Sequence, residues 1–193
     1  MQSSWSLEGP VPESTAEAAV ALDALAERVA AGDRAAFDLV YRALVDELYS
    51  YVRGQCRGDA DAEDIVAGVF LKAWRSASRY RLGSQSFRPW MYGIARNEVR
   101  NHWRLRDQSL PLVDTEIAAP ADDSFDEAGA QLFLTSAMNT LTPEQREVVV
   151  LRYFNEKPHR EIAQIMGKRE GSVRALLHRA LQRMRTAMLD ATP

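Results

Sequence analysis

The stretch that organises this chain reads SFRPWMYGIARNEVRNHWR and covers residues 86–104. Pro89 suits the first turn of a helix, where a missing backbone N–H is no loss, and Ser86 is a suitable cap just before it. The sequence therefore predicts a helix that begins here. One side of this helix is apolar and can be buried against neighbouring elements. That side carries Trp90, Met91, Ile94 and Ala95.

The other side of the same helix carries arginine or tyrosine at every fourth position. Residues four apart share one face of a helix, so these side chains form a single stripe, with Trp103 beside its end. Two interpretations are open at this point. The stripe is either a solvated arginine face or a surface for nucleic acid, where guanidinium groups hold phosphates and aromatic rings stack on unpaired bases. The stripe consists of Arg88, Tyr92, Arg96, Arg100 and Arg104.

Length and composition indicate a soluble globular protein. The chain has 193 residues, of which 46% are hydrophobic and 26% charged, a balance typical of one or two folded domains. It lacks the uninterrupted apolar run of about 18 residues that a membrane span needs, and its N-terminus lacks the basic-then-apolar order of a signal peptide. We therefore expect a cytoplasmic protein without membrane insertion. The single cysteine, Cys56, is expected to be a packing residue, and we expect no disulfide, metal or cofactor.

Charge is divided unevenly along the chain, although the net charge is only -3. Residues 1–30 sum to -4 and residues 107–127 to -7, whereas residues 31–106 and 128–193 each sum to +4. Two basic blocks therefore flank an acidic connector. This asymmetry is typical of a nucleic-acid binder whose linker does not itself bind nucleic acid.

The first basic block reads as a helical bundle. Residues 1–21, which are rich in serine and proline, are interpreted as a flexible tail. Helices are then predicted at 22–31, from 33 to about 54, and at 62–80, each with apolar residues at helical spacing. Together with the helix that begins near residue 86, they predict a bundle that ends at residue 106.

The outward face of the third predicted helix carries side chains that are unusually small and apolar for a solvated surface. Gly68 costs about 1 kcal/mol relative to alanine in a helix interior. Its presence indicates either simple tolerance or a partner backbone that packs closely, and we favour the partner. The face runs through Asp64, Ala67, Gly68, Leu71 and Arg75.

Two connecting segments follow. Residues 80–86 form a polar loop with one glycine, which is free to touch a ligand. Residues 107–127 carry seven acids, two prolines and no lysine or arginine, and they predict an extended linker at a domain boundary. A plain tether is the alternative interpretation of that linker.

The second basic block carries the spacing of a helix-turn-helix. A helix capped by Thr142 comes first, and helices at 158–167 and 172–188 follow. Ala163 is small enough for two helices to cross closely, Gly167 supports the turn, and Val173 fills the angle between the helices. An ordinary helical hairpin is the alternative.

Charge favours the helix-turn-helix. From Arg160 to Arg185 the chain has seven bases and two acids. On the second of the two helices we expect six inward residues, namely Val173, Leu176, Leu177, Ala180, Leu181 and Met184. The outward residues, which can reach base edges in a major groove, are Ser172, Arg174, Ala175, His178 and Arg179.

Three motifs in this order resemble the extracytoplasmic-function group of bacterial sigma factors. They are DAEDIV at 61–66 with VFLKAW at 69–74, WMY at 90–92 with IARN at 94–97, and LTPEQR at 141–146 followed by the helix-turn-helix. The resemblance covers about residues 24–186. It implies an all-α fold with two small helical domains, a sigma-two bundle (residues 22–106) and a sigma-four domain (residues 128–193), joined by the extended acidic linker at 107–127.

The resemblance also implies partners and contact residues. The sigma-two domain would bind core RNA polymerase and the minus-ten promoter element, and the sigma-four domain would read the minus-thirty-five element. An anti-sigma factor is an open possibility, and no small-molecule substrate is implied. The residues assigned to polymerase are Asp61, Asp64, Ala67, Gly68, Leu71 and Arg75. Those assigned to minus-ten DNA are Tyr80, Arg81, Gln85, Arg88, Tyr92, Arg96, Asn97, Arg100, Trp103 and Arg104. Those assigned to minus-thirty-five DNA are Arg160, Lys168, Arg169, Ser172, Arg174, Ala175, His178 and Arg179.

Two departures from the family pattern fall at contact positions. Ala67 and Gly68 stand where the family commonly has a glutamine and an acid. Ala175 and Leu176, with Leu181 further on, stand where many members have serine and arginine, so base contacts cannot be copied from the family. The alternatives are a helix-turn-helix regulator with a helical partner domain and a helical adaptor without a DNA role. An enzyme is least expected, because no acid/base pair, nucleophile or phosphate loop is evident.

Overall fold

The computed structural model describes residues 15–56, 58–80, 86–109 and 134–190, and all regular secondary structure within these ranges is helical. The all-α prediction is therefore confirmed. A 3-10 turn, Ala77–Arg79, follows the third helix, and a π-helical turn, Val150–Phe154, follows the sixth. The helices are α1 (Thr15–Ala30), α2 (Arg34–Arg53), α3 (Asp59–Ser76), α4 (Phe87–Ser109), α5 (134–139), α6 (Pro143–Val149), α7 (His159–Met166) and α8 (Glu170–Asp190).

The ends of the first bundle differ from the predicted ends. α1 begins at Thr15, so residues 15–21 are helical and the predicted tail is wrong there. Alanine is frequent in this stretch, and its high helix propensity compensates for the missing apolar period. α4 continues to Ser109, three residues past the predicted domain end. The remaining linker residues, 110–127, lie outside the described residues.

Helices α1 to α4 pack around one apolar core. The inward face of α3 is buried except for the half-buried Trp74, with Val69 and Ala73 at 0% and 1% exposure. α2 is capped by Asp33, whose carboxylate accepts the backbone N–H of Ala36 at 3.1 Å. This hydrogen bond, together with the Arg28 side chain, lowers the pKa of Asp33.

The start of α4 depends on a residue far away in the chain. The backbone N–H of Phe87 donates to the carboxylate of Asp23 on α1, at 2.6 Å. The Phe87 ring packs against Tyr80 and Trp90, with centroids 5.1 Å away in both cases. α1 therefore caps α4 and helps to set its direction across the bundle.

The helix-turn-helix is confirmed at the residues that the spacing indicated. Gly167 ends α7 with φ 62°, a left-handed conformation that favours glycine. Val173 is fully buried at the start of α8, and Ala163 is buried on α7. The preceding helix α6 begins with a capping box, in which Thr142 and Gln145 bond to each other's backbone N–H.

One inward prediction on α8 is wrong. Leu181 is 38% exposed, whereas the other five residues predicted to face inward are buried. The buried line follows Leu177, Ala180 and Met184 at spacings of three and four, and Leu181 lies beside that line rather than on it. Apolar character alone did not distinguish the two positions.

The two halves of the chain pack directly against each other. α4 contacts α7, and α2 contacts the π-helical turn. At the end of α2, a Cβ atom added to Gly54 would lie 2.7 and 2.9 Å from the two methyl carbons of Val150. The close approach of α2 to the π-helical turn therefore requires glycine at this position. Within the described ranges, no helix is long and apolar enough to cross a membrane.

Substitution of Gly167 by alanine should destabilise the protein by about 1–2 kcal/mol, because a left-handed conformation brings Cβ too close to the backbone. Gly171→Ala is the matched control. Gly171 lies within α8, and an added Cβ would meet nothing within 4 Å. Urea unfolding followed by circular dichroism should show a lower midpoint for Gly167→Ala and an unchanged or higher midpoint for Gly171→Ala. Equal midpoints would contradict this account of the turn.

Candidate nucleic-acid interface and partner surface

The arginine stripe of α4 divides into a covered part and an open part. Arg100 and Arg104 are exposed, as is the nearby Asn97. In contrast, the side chains of Arg88 and Arg96 are each only 18% exposed. The covered part faces the C-terminal half of the chain. Only the part of the stripe near the C-terminal end of α4 is open to solvent in this arrangement.

Tyr92, which belongs to the same stripe, is fully buried. The prediction that its ring is exposed and able to cover a base is therefore wrong for this arrangement. Its ring packs edge-on against Tyr51 with centroids 4.8 Å apart, and its hydroxyl donates to Glu47 at 2.9 Å. Because the hydroxyl finds a carboxylate partner, the ring can be buried without an unsatisfied donor. Burial, and to a smaller extent the nearby charge of Glu47, raises the pKa of Tyr92.

Arg96 forms the central contact between the two halves. Its Nε donates to Oε1 of Glu147 at 2.8 Å, and its Nη2 lies 2.6 Å from the same oxygen. Nη2 donates to the backbone carbonyl of Ile165 at 2.8 Å. Glu147 is 4% exposed, and its Oε1 also accepts a hydrogen bond from the Tyr51 hydroxyl at 3.0 Å. A buried carboxylate is stable only when it is paired and hydrogen-bonded in this way. Burial raises the pKa of Tyr51, and the Glu147 charge adds to the effect.

A second group of charges lies beside this pair. Arg88 approaches two carboxylates, Glu47 at 3.6 Å and Glu161 at 3.5 Å. Lys157 approaches the same two carboxylates, at 3.0 and 3.5 Å. The side chain of Asn155 also donates to the backbone carbonyl of Glu47, at 2.8 Å. We call the six charged residues of both contacts the interdomain network; they are Glu47, Arg88, Arg96, Glu147, Lys157 and Glu161.

Sequence reasoning missed the acidic members of this network. Glu147 precedes the apolar run VVVL and follows the helix cap by five positions, so it falls on the buried face of α6. An acid on the apolar face of an amphipathic helix is the signal that would have indicated a buried ion pair. The identity of its partner was not encoded locally.

Two further residues assigned to minus-ten DNA serve as packing residues here. Tyr80 is buried, with 5% exposure. Burial, and to a smaller extent the charge of Asp23, raises the pKa of Tyr80 to about 12. Trp103 is half-buried, and its indole N–H donates to the carbonyl of Gln55 at 3.1 Å. The expectation that Tyr80 is accessible is therefore wrong for this arrangement. Arg81 and Gln85 lie outside the described residues.

The small apolar face of α3 is accessible. Asp64, Ala67 and Arg75 are exposed, and Leu71 is 50% exposed. An added Cβ at Gly68 would meet only Glu98 of α4, at 3.6 Å, so this position is not crowded. Asp61 is half-buried and lies 3.5 Å from the Nε2 atom of His102.

This face extends onto α2 as a groove of about 480 Å³. Its floor is aromatic: the tilted rings of Tyr41 and Phe70 have centroids 4.7 Å apart, and those of Phe37 and Trp74 have centroids 5.1 Å apart. Tyr41 itself is 45% exposed. An accessible apolar groove with aromatic walls is typical of a protein-binding surface. The contribution of α2 to this surface was not predicted.

The residues assigned to minus-thirty-five DNA lie together on α7, the turn and the start of α8. Seven of these residues are exposed, and Lys168 is half-buried. Lys168 pairs with Glu144 at 3.1 Å, and Arg174 pairs with Glu170 one turn earlier in α8. The exposed set comprises Arg160, Arg169, Ser172, Arg174, Ala175, His178 and Arg179.

Family comparisons agree with this geometry. The family model for sigma-70 region 2 matches residues 40–108, and the model for sigma-70 region 4 matches residues 134–184. The chain is 30% identical over 162 residues to the RNA polymerase sigma factor CarQ of Myxococcus xanthus, across 82% of this chain and 92% of CarQ. It is 32% identical over 172 residues to the ECF RNA polymerase sigma factor BldN of Streptomyces coelicolor. The chain belongs to the extracytoplasmic-function group of sigma-70 factors.

The match to BldN covers 86% of this sigma factor but only 65% of the length of BldN. Among solved structures, CnrH in complex with the cytosolic domain of CnrY has the same fold. Its TM-score is 0.67 at 24% identity, over 90% of this chain and 99% of CnrH. Region 2 of this sigma factor contains most of α2 and all of α3, and α4 almost to its end, and region 4 contains α5 to α7 with most of α8. The interdomain network therefore joins region 2 to region 4.

Removal of the Tyr51 hydroxyl should weaken the contact between the two regions. Tyr51→Phe leaves Glu147 with one donor fewer, at a cost of about 1.5–3 kcal/mol for a hydrogen bond to a charged group. Because the pKa of Tyr51 is raised above its ordinary 10.0, this contribution is present below about pH 10 and is lost as the pH rises further.

Urea unfolding at neutral pH would measure the effect. Tyr49→Phe is the control, because the Tyr49 hydroxyl makes an exposed and long hydrogen bond to Asp59, at 3.4 Å. Its loss should change the free energy of unfolding by less than about 0.5 kcal/mol. A loss of similar size in both variants would mean that Tyr51 does not stabilise the contact.

Proposed function

We propose that this chain binds core RNA polymerase, recognises minus-thirty-five and minus-ten promoter elements, and promotes strand opening at the start of transcription. The observation that carries the proposal is the presence of region 2 and region 4, in order, in one chain. Sigma factors are transcription initiation factors, so we assign the chain no chemistry of its own. We further propose that it acts in the cytoplasm, where polymerase and DNA are found.

The α3 face and its groove are the proposed polymerase surface. Exposed Leu71 stands beside Ala67 and the uncrowded Gly68, so a partner helix can approach closely. Aromatic residues at the groove floor would supply most of the binding energy, because buried aromatic anchors dominate protein interfaces. The flanking charges of Asp64 and Arg75 would form the polar rim.

The exposed start of α8 is the proposed reader of the minus-thirty-five element. In a helix-turn-helix, the N-terminal part of the second helix enters the major groove. Ser172, Ala175 and His178 would lie near base edges, while the surrounding arginines hold phosphates. Arg174 is held by Glu170 in this structure and would exchange that carboxylate for a phosphate on DNA.

The exposed part of α4 is the proposed first contact with the minus-ten element. Asn97, Arg100 and Arg104 are accessible. An amide can pair with a base edge as donor and acceptor, and the guanidinium groups can hold the backbone of a separated strand. Arg88 and Arg96 would join this surface once region 4 moves away from it.

An anti-sigma factor is a further partner that we propose. CnrH was solved with the cytosolic domain of CnrY. This chain has a cleft of about 780 Å³ at the junction of regions 2 and 4. Its walls combine apolar Val99 and Leu141 with the charged Arg100, Glu144 and Arg146, which suits an amphipathic helix of a partner protein.

Leu71→Glu should abolish a central apolar contact with polymerase and weaken binding of purified core RNA polymerase at least about 30-fold, the size of a hot-spot loss of about 2 kcal/mol. Gly68→Trp should act in the same direction by adding bulk to the outward face of α3 beside Leu71. Leu189→Glu is the control, because Leu189 is 64% exposed at the far end of α8. Affinity can be measured by fluorescence anisotropy with circular dichroism as a check of folding. Wild-type affinity in both groove variants would place polymerase elsewhere.

Arg174→Ala should reduce the slope of log affinity against log salt by about 0.9 for duplex DNA of mixed sequence, as expected for one lost phosphate contact. Arg185→Ala serves as the comparison, since Arg185 is exposed near the end of α8 and away from the turn. Filter binding over a range of salt concentrations measures both slopes. If Arg174→Ala kept the wild-type slope and affinity, this arginine would not contact DNA.

A further inference from the structure

We propose that Asp23, on α1, is a positioning residue for minus-ten recognition. It ties Tyr80 to the start of α4 and thereby fixes the helix that carries the proposed DNA contacts. The proposal rests on the proposed function, because it assumes that α4 binds the minus-ten element. It extends that function to an element outside the matched family regions, since α1 ends at Ala30 and the region 2 model begins at residue 40.

One carboxylate of α1 meets two places in the chain that flank the segment 81–85. The Asp23 carboxylate accepts the backbone N–H of Phe87 at 2.6 Å, and it is hydrogen-bonded to the hydroxyl of Tyr80. Residues 81–85 themselves lie outside the described residues. Asp23 therefore holds Tyr80 and the start of α4 at one point, although it lies 64 residues before Phe87 in the chain.

A carboxylate is well suited to this position. The first N–H groups of a helix have no acceptor within the helix, and the helix N-terminus carries a partial positive charge. The first turn of α4 contains no acidic residue of its own, and Pro89 contributes no N–H. Asp23 therefore supplies both an acceptor and a negative charge to the start of α4.

Aromatic packing brings the same two places together but does not fix their direction. The rings of Tyr80 and Phe87 have centroids 5.1 Å apart, and the Trp90 ring lies 5.5 Å from the first and 5.1 Å from the second. Apolar burial is non-directional, whereas a hydrogen bond weakens steeply when its angle becomes small. The two bonds to Asp23 therefore set the orientation of these rings.

Helix α1 is itself fixed in the core, so Asp23 has a firm support. Leu22, Ala26 and Val29 follow one face of α1 and are 4%, 1% and 2% exposed. Asp23 is half-buried and directly follows Leu22. The carboxylate is thus held beside the core, from which it reaches the start of α4.

The start of α4 matters because the proposed minus-ten contacts lie on the same helix. Arg88 directly follows Phe87, and Asn97 lies about three turns further along. Contacts to phosphates set the register of a protein on DNA, whereas contacts to base edges carry the sequence preference. A shift in the first turn of α4 would therefore change the register in which Asn97 meets the bases. Loss of the Asp23 carboxylate should weaken the preference for the minus-ten sequence and leave minus-thirty-five recognition unchanged.

The experiment uses holoenzymes assembled from purified core polymerase and the full chain, with a promoter library randomised at both elements. Sequencing of barcoded transcripts gives the preference at each element. Because a preference is a ratio between promoters, a smaller fraction of folded protein lowers all transcripts alike and leaves this ratio unchanged. Asp23→Ala should lose at least about fivefold of the wild-type minus-ten preference, the scale of one mismatched base pair. Its minus-thirty-five preference and its affinity for core polymerase should equal those of the wild type.

Two matched variants separate positioning from stability. Asp33→Ala removes a comparable cap, since Asp33 accepts the N–H of Ala36 at the start of α2, and it should leave both preferences unchanged. Asp23→Asn should retain most of the minus-ten preference, because its amide can accept from the Phe87 N–H and donate to the Tyr80 oxygen. If Asp23→Ala does not fold, Tyr80→Phe replaces it, because Tyr80 is 5% exposed and its hydroxyl meets Asp23.

Hydrogen exchange on the free full chain gives a readout that does not depend on transcription. The Phe87 amide should exchange about fivefold faster in Asp23→Ala than in the wild type, as expected for the loss of one helix cap. In Asp33→Ala, the Ala36 amide should respond instead. Equal exchange at Phe87 in Asp23→Ala and in the wild type would contradict the proposal.

An unchanged minus-ten preference in Asp23→Ala, or in Tyr80→Phe when Asp23→Ala is unfolded, would overturn the proposal. An equal loss of preference at both elements would do the same, as would an equal minus-ten loss in Asp33→Ala or in Asp23→Asn. In each of these cases the wild type still transcribes, so the proposed function stands. If the wild type initiates transcription from no member of the library, the proposed function fails as well, and the exchange results then identify Asp23 as a cap of α4 alone.

Discussion

The pairing of Arg96 with Glu147 is the interaction on which the relation between the two regions depends. Each member is removed from water, and a charge in such a place is costly unless an opposite charge and hydrogen bonds compensate for it. Tyr51 completes the shell of the carboxylate, and the carbonyl of Ile165 completes that of the guanidinium. These four residues come from α2, α4, α6 and α7, so one buried pair ties together elements of both regions. Loss of either partner would leave an uncompensated charge in the interface.

Different sides and ends of helix α4 face the core, region 4 and solvent. Its apolar side fills the core of the four-helix bundle, where Met91 and Ala95 are fully buried. Arg88 and Arg96 face region 4, whereas residues nearer the C-terminal end of the helix, such as Arg100, face solvent. One helix therefore serves core, interface and open surface, and region 4 covers only part of it.

The surface that we propose for polymerase is built from apolar residues rather than from charges. The groove between α2 and α3 is built from aromatic rings that stabilise each other, among them Phe37, Phe70 and Trp74. These rings are packed well enough to keep their positions, yet the groove above them remains open. Small side chains at Ala67 and Gly68 leave room instead of filling it. The departure from the more polar family pattern at these positions therefore makes the proposed polymerase surface less polar.

Prediction from sequence succeeded where the determining interactions were local. Apolar spacing predicted the helices of both regions, since a helix buries residues that recur every three or four positions. The turn at Gly167 was predicted because a left-handed residue between two helices is nearly always glycine. The prediction was wrong at Tyr92 and Tyr80, where an aromatic residue with a hydroxyl was interpreted as exposed. Such a residue suits either surface or core, and the choice depends on whether a partner for the hydroxyl is available inside.

The sequence by itself therefore determined most of the helices, the caps of α2 and α6, the helix-turn-helix and the division of charge, because each of these depends on residues within one or two helical turns. Only the tertiary structure decided which arginines of α4 are covered. Arg96 and Glu147 are 51 residues apart, and the sequence near either residue does not indicate that they pair. An ion pair forms between whichever charges the packing brings within a few ångströms, and that packing is set by the shape of both regions together. The accessibility of the proposed DNA-binding surface is consequently a property of the folded chain.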